Sequence, residues 1–250
     1  MPFIFATHAV LWYYIYVNNF SYPMRINKYL AHKQYCTRRE ADELIAARKV
    51  LINGAPAKLG DQVHERDTVE VRFRPRKYRY FAYHKPRGVI THSPQGDEEA
   101  IEDISPIEGV FPIGRLDKDS YGLIILTDDG RITDALLNPA RAHEKEYLVS
   151  TRDALTPSFK TRMEHGVDIG GYVTRPCHVE ITGNRSFSIT LTEGKKHQIR
   201  RMCGAFGHSA THLKRIRIMN VELGNLKPNE SRPITGPELT TFLKSLGIKA

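Results

Sequence analysis

From Ile26 onward, apolar positions fall into short helical and strand-like periods separated by turn residues. Ala41, Leu44 and Ile45 share one helical face. Thr37 and Glu40 ahead of them have the Ser/Thr-x-x-Glu spacing of a capping box, which predicts a helix start. "VLINGAPA" follows, where Asn53-Gly54 supplies the positive φ angles of a tight hairpin turn. Residues 24–73 therefore read as a compact module of helices followed by a small hairpin sheet. "RPRKYR", residues 74–79, reads as a connector and domain boundary. Beyond it, "YRYFAYHKP" and "GLIILTD" have the unbroken apolar runs of buried strands, while "EKEYLVST" and "SFSITLT" alternate as half-buried ones. Helices are predicted over 130–138, 156–165, 197–206 and 236–246. The second has Thr156 as cap, Pro157 in its first turn and Gly166 past its end; the last has its own capping-box pair in Thr235 and Glu238. Strands interleaved with hairpins and helices predict an α+β fold for residues 80–250, with a mixed, mainly antiparallel central sheet flanked by helices.

Composition narrows the class of partner. The 250 residues are 40% apolar, enough for a real core, and 37 Lys and Arg against 28 Asp and Glu leave a formal charge of +9. That balance favours nucleic acid or another polyanion as partner. Between Arg25 and Lys77 there are thirteen basic and seven acidic residues, so the small module with the start of its connector carries +6 of the total. Arg38 and Arg39 stand in the first turn of its predicted second helix, where the helix dipole disfavours cations. An anionic ligand accounts for them, and with Lys28 and Lys49 they are the expected RNA contacts. Residues 1–23 carry no Lys, Arg, Asp or Glu; their apolar run is too short to span a bilayer and lacks a basic leader. They are read as an extension ahead of a functional start at Met24, with no membrane association. Cys36, Cys177 and Cys203 form no CxxC pair or even-numbered framework, which fits a reducing cytoplasm.

Chemistry-bearing residues gather in two stretches. Gly194 to Asn220 holds seven Lys and Arg and no acid, a basic wall suited to phosphates. "GRLDKDSYGLIILTDDG", residues 114–130, sets Asp117 between Arg115 and Lys118. An aspartate after a Gly-Arg-Leu turn reads first as a cap or an arginine's partner, as do Asp128 and Asp129 before Gly130. Tyr80, Phe81, Tyr83 and Tyr147 could stack bases, although single tyrosines in strands are more often core. Cys203, His208 and His212, with His197 nearby, are ligand types without metal-site spacing. No metal or cofactor is expected, and GxGxxG and GxxxxGK[ST] are both missing.

Taken together, "YHKPRGV", "FPIGRLDKDSYGLIILTDDG", "HEKEYLV" and "EGKKHQIRRMCGAFG" resemble the blocks of the pseudouridine synthases that act on ribosomal RNA. "MRINKYLA", "TRREADELI" and "VLINGAPA" resemble the small αL-motif RNA-binding domain that this group carries at its N-terminus. The resemblance covers about residues 24–246. It implies that Asp117 is the catalytic aspartate of uridine isomerisation, that Tyr147 stacks on the extruded uracil, and that Arg200 pairs with Asp117. It further implies substrate contacts from Arg115, Ile199, Lys85, Lys196 and Arg201. The branch it resembles most modifies a uridine of large-subunit ribosomal RNA, free or in pre-ribosomal particles. The alternatives are the same chemistry on small-subunit RNA or a tRNA, or a noncatalytic RNA-binding assembly factor. The chain is expected to act as a monomer. One departure from the pattern is "GKKHQ", which stands where large-subunit enzymes commonly have GxNRQ.

Overall fold

A computed structural model describes residues 21–72 and 77–248. The extension up to residue 20, most of the connector (73–76) and residues 249–250 lie outside the described residues. The chain divides into two compact units at Pro75 and Arg76.

The first unit runs β1 (Met24–Arg25), α1 (Ile26–His32), α2 (Arg38–Ala46), β2 (Val50–Ile52), β3 (Ala55–Pro56), β4 (Gln62–Val63) and β5 (Val69–Val71). The expected capping box starts α2: Glu40 N–H donates to Thr37 Oγ1 at 3.2 Å, and Thr37 N–H donates to the Glu40 carboxylate at 2.7 Å. Ile26, Leu30, Ala41, Ile45, Val50 and Val63 form the small core. Asn53 and Gly54 take φ of 51° and 80°, the hairpin turn read from the sequence. Arg38, Arg39, Lys28 and Lys49 all lie exposed.

The second unit contains β6 (Tyr80–Lys85), α3 (Ile101–Ile104), β7 (Phe111–Ile113), β8 (Tyr121–Thr127), α4 (Ile132–Leu137), β9 (Lys145–Thr151) and α5 (Phe159–Glu164). It continues through β10 (His178–Gly183), β11 (Ser186–Leu191), α6 (Gln198–Gly204), β12 (Ala210–Ile218), β13 (Val221–Glu222), β14 (Ser231–Pro233) and α7 (Gly236–Ser245). Among the described residues, nine of these strands form one sheet in the order β10-β11-β9-β12-β8-β6-β14, with β13 on β12 and β7 on β8. Only the β12–β8 pair is parallel within it, so the sheet is mixed and mainly antiparallel.

β8 is buried on both faces. Leu123 and Ile125 join the core with α4 and α7, whereas Ile124 and Leu126 pack on the opposite face with Ile101. A third cluster places Phe159, Met202 and Cys203 of α5 and α6 against Val149, Phe187 and Ile189. Tyr80 and Tyr83 are core residues, 5% and 0% exposed. Asp129 is wholly buried, where it accepts from Tyr80 Oη at 2.5 Å and from Arg131 Nε and Nη2 at 2.8 and 2.9 Å.

Two helix starts differ from the pattern-based expectation. Thr156 does not cap α5, because Phe159 N–H closes a turn on the Thr156 carbonyl at 3.0 Å and the helix begins two residues late, after Ser158. Thr235 flanks α7 without a side-chain cap, since Arg232 takes both oxygens of Glu238 at 2.7 Å and removes the partner a capping box needs.

The parallel junction depends on Gly122. It has φ of 106°, and a Cβ there would stand 2.3 Å from the Arg215 carbonyl oxygen. Gly122→Ala should therefore destabilise the unit by at least about 2 kcal/mol, read as a lowered unfolding midpoint in denaturant with unchanged m-value.

Candidate active site

Cross-strand register assembles the centre of the site. Lys85 on β6 pairs with Gly122 on β8, Gly122 with Arg215 on β12, and Arg215 with Tyr147 on β9. These four residues form one row across four strands, and paired residues in a row project to the same face of a sheet. Gly122 contributes no side chain, which lets β12 close on β8 between the two cations.

Arg215 is 4% exposed; its Nε donates to the Leu123 carbonyl at 2.6 Å, and its Nη2 is buried with no hydrogen-bond partner. Its guanidinium carbon stands 6.0 Å from the centre of the half-buried Tyr147 ring. Lys145, two residues before Tyr147, is pushed down to about 8 by burial, with the Arg215 charge adding to the effect.

Asp117 lies in the loop joining β7 to β8, and its backbone is held from several sides. Its carbonyl accepts from Ser120 N–H at 3.0 Å, closing a turn. Thr91 Oγ1, buried, donates to the Leu116 carbonyl at 2.9 Å and accepts from Leu116 N–H at 3.0 Å. Lys118 donates to Glu98 at 2.9 Å, and its carbonyl accepts from Gly88 N–H at 2.8 Å. Beneath the turn, Lys85 Nζ donates to the carbonyls of Ser120 (2.8 Å), Pro86 (3.0 Å) and Lys118 (3.5 Å). The Asp117 carboxylate itself remains 36% exposed, with His197 Nδ1 3.5 Å from Oδ2.

The structure revises four sequence-based placements. Lys85, expected against substrate, is fully buried, because the end of β6 points its ammonium up into main-chain carbonyls. Arg200 does not pair with Asp117: its Nη1 donates to the Ala210 carbonyl at 2.8 Å and its Nη2 to the Asp119 carbonyl at 3.4 Å, so it spans from α6 to β12 and the Asp117 turn. Ile199, expected on the base, is 4% exposed in the core beside Met202 and Leu213. Arg201 donates to the Ile169 carbonyl, which draws it toward the 168–171 loop. Arg115 and Lys196 are exposed, as substrate contacts require.

Two members of the constellation were not legible as such. Arg215 stood out only as one cation of the acid-free run, and His197 only as a candidate metal ligand. The candidate ligand types separate: Cys203 is buried with its thiol pushed up to about 12, chiefly by burial, and His208 packs edge-on against Phe159 at 5.0 Å. Among the described residues, no group of three or more His, Cys, Asp or Glu could hold a metal ion. No helix among them is long and apolar enough to cross a membrane.

Comparison with known proteins identifies this arrangement. The family model for RNA pseudouridylate synthase matches residues 79–205, from β6 through α6. The chain belongs to that family. The S4 domain model matches residues 24–69 of the first unit. The synthase is 42% identical over 227 residues to the dual-specificity RNA pseudouridine synthase RluF of Salmonella typhi, covering 88% of this chain and 78% of that one. It is 32% identical over 232 residues to the ribosomal small subunit pseudouridine synthase A of Haemophilus influenzae, covering 88% of this chain and all of that one. A crystal structure of a pseudouridylate synthase superposes with a TM-score of 0.65 at 27% identity, covering 89% of this chain and 99% of the other.

In the synthase, burial pushes the Lys85 ammonium down to about 8, with Asp117 and Asp119 opposing the shift and Arg215 adding to it. The folded pKa lies below the unfolded one, so between about pH 8 and 10 the unfolded chain binds the extra proton and this site adds stability as pH rises. Lys85→Met should remove that increment, so the melting temperature of wild type should gain on the variant's across this range. The variant should also lose most of its turnover, because the Ser120 and Pro86 carbonyls lose the Lys85 donor and the Lys118 carbonyl keeps only Gly88 N–H.

Proposed function

We propose that this synthase isomerises a uridine of ribosomal RNA to pseudouridine, with large-subunit RNA the preferred substrate and Asp117 the catalytic carboxylate. One observation carries the reading. Asp117 is partly exposed to solvent on a turn whose main chain is fixed by Ser120, Thr91 and by Lys85, the β6 member of the Lys85–Gly122–Arg215–Tyr147 row. The turn is rigid and the carboxylate is free to meet a substrate. The ribosomal target is supported by similarity to the ribosomal small subunit pseudouridine synthase A of Haemophilus influenzae, and the large-subunit preference by the resemblance of the sequence around Asp117, Tyr147 and Arg200 to that branch.

The chemistry suits the parts. A stacked uracil cannot bring its C5 and C1′ to a side chain, so the nucleotide must swing out at a cost of a few kcal/mol in stacking. The Tyr147 ring, with the Arg215 guanidinium beside it, offers the extruded base a face to stack on, which recovers part of that cost. Asp117 then acts as the carboxylate that promotes cleavage of the N1–C1′ bond; the base turns, C5 bonds to C1′, the C5 proton leaves, and N1 takes up a proton from solvent. The rearrangement is redox-neutral and leaves the composition unchanged. Arg200 serves by fixing α6 to the Asp117 turn through the Asp119 carbonyl. In the first unit, Arg38 and Arg39 supply phosphate contacts that add affinity without reading sequence.

Asp117→Asn should abolish tritium release from RNA labelled at uridine C5 while RNA affinity stays within a few-fold of wild type. Full activity in this variant would overturn the assignment. Replacing Arg38 and Arg39 together by Gln should weaken RNA binding and make the slope of log K against log salt shallower by roughly 1 to 2, one counterion-release increment per lost contact.

A further inference from the structure

The residue against Asp117 is not the arginine that the sequence pointed to but His197, and its backbone is unusual. It flanks the start of α6 with φ of 52° and ψ of 30°, the left-handed region, which a residue bearing a Cβ enters at a cost. The surrounding loop enforces that conformation. Lys195 N–H donates to Gln198 Oε1 at 2.8 Å, and Gln198 Nε2 donates to Glu193 Oε1 at 3.0 Å. Glu193 is itself fixed by Tyr172 Oη at 2.5 Å and by Arg175 N–H at 3.0 Å, and both Glu193 and Gln198 are 4% exposed. On the helix side, Arg201 N–H closes on the His197 carbonyl at 2.9 Å. A buried polar network thus holds the main chain on both sides of one strained residue, whose side chain ends 3.5 Å from Asp117 Oδ2.

We infer that His197 is a positioning residue for the isomerisation: its imidazolium orients the Asp117 carboxylate for attack. The inference rests on Asp117 being the catalytic carboxylate. At 3.5 Å the contact is longer than the 2.7–2.9 Å of a charge-assisted hydrogen bond, so the hold is Coulombic and needs the ring protonated. The other charges around the pair are Lys195 and Lys196 on the same loop, Arg200 on α6, Lys85 beneath the turn, and Arg115, Lys118 and Asp119 beside Asp117 in the chain. Asp117 is the acid that faces the ring. The partners are 46% and 36% exposed, so water screens them, and the effect is limited to roughly two- to fivefold in rate.

The test compares kcat and KM for wild type, His197→Asn, His197→Gly and Asp117→Asn on one RNA substrate at a single pH. Asparagine and glycine both tolerate the left-handed backbone, so the loop and α6 should keep their fold, checked by circular dichroism. In both His197 variants kcat should fall roughly two- to fivefold below wild type, with KM within twofold. Wild-type kcat in His197→Asn and His197→Gly, or a change confined to KM, overturns the role of His197. Full activity in Asp117→Asn overturns instead the assignment on which it rests.

Discussion

The second unit is organised by two cations buried in one row of its sheet, with a glycine between them. Lys85 and Arg215 have no carboxylate within ion-pair distance among the described residues, and they donate to main-chain carbonyls of Pro86, of β8 and of the turn preceding it. Burying a charge without a counter-charge is costly, and main-chain carbonyls offset that cost at the Lys85 ammonium and at Arg215 Nε, while Arg215 Nη2 has no partner. The acceptors are what matter for the site. By bonding to Ser120, Lys118 and Leu123, the two cations fix the end of the Asp117 turn and the strand that follows it. Lys85 bonds the turn that carries Asp117, and the Arg215 guanidinium stands beside the Tyr147 ring.

The same economy of acids appears at the surface of the site. The remaining arginines of α6 also spend donors on carbonyls, Arg200 on Ala210 and Asp119 and Arg201 on Ile169. Carboxylates that do pair with arginine lie elsewhere, as in the buried Asp129–Arg131 pair and in Glu144 and Glu146 around Arg217. Asp117 is thereby left with a half-exposed histidine as its ion partner, a weak hold that a substrate can replace. Rigid main chain and lightly held carboxylate are separate achievements of the same loop.

Local structure was largely readable from the chain. The capping box at Thr37 and Glu40, the Asn53-Gly54 turn and the doubly buried β8 each depend on residues within a few positions of one another, and each formed as the pattern requires. The failures were also local in form but not in cause. Thr235 and Glu238 have the correct spacing for a cap, yet Arg232 from β14 claims the glutamate. Ile199 reads equally well as a base contact or a core residue, and only the packing of α6 on β9 and β11 decides it.

What the sequence determined by itself was the division of labour: a basic module, an α+β second unit, and Asp117 set in a Gly-Arg-Leu-Asp turn ahead of a buried strand. What the tertiary structure decided was which cation meets which partner. Lys85, Gly122, Tyr147 and Arg215 are far apart in the chain and meet through strand register, which no short-range pattern encodes. Long basic side chains can reach several acceptors within the same radius, so spacing alone could not tell Arg200 from His197 as the neighbour of Asp117. The left-handed residue before α6, fixed by Glu193 and Gln198, made that choice.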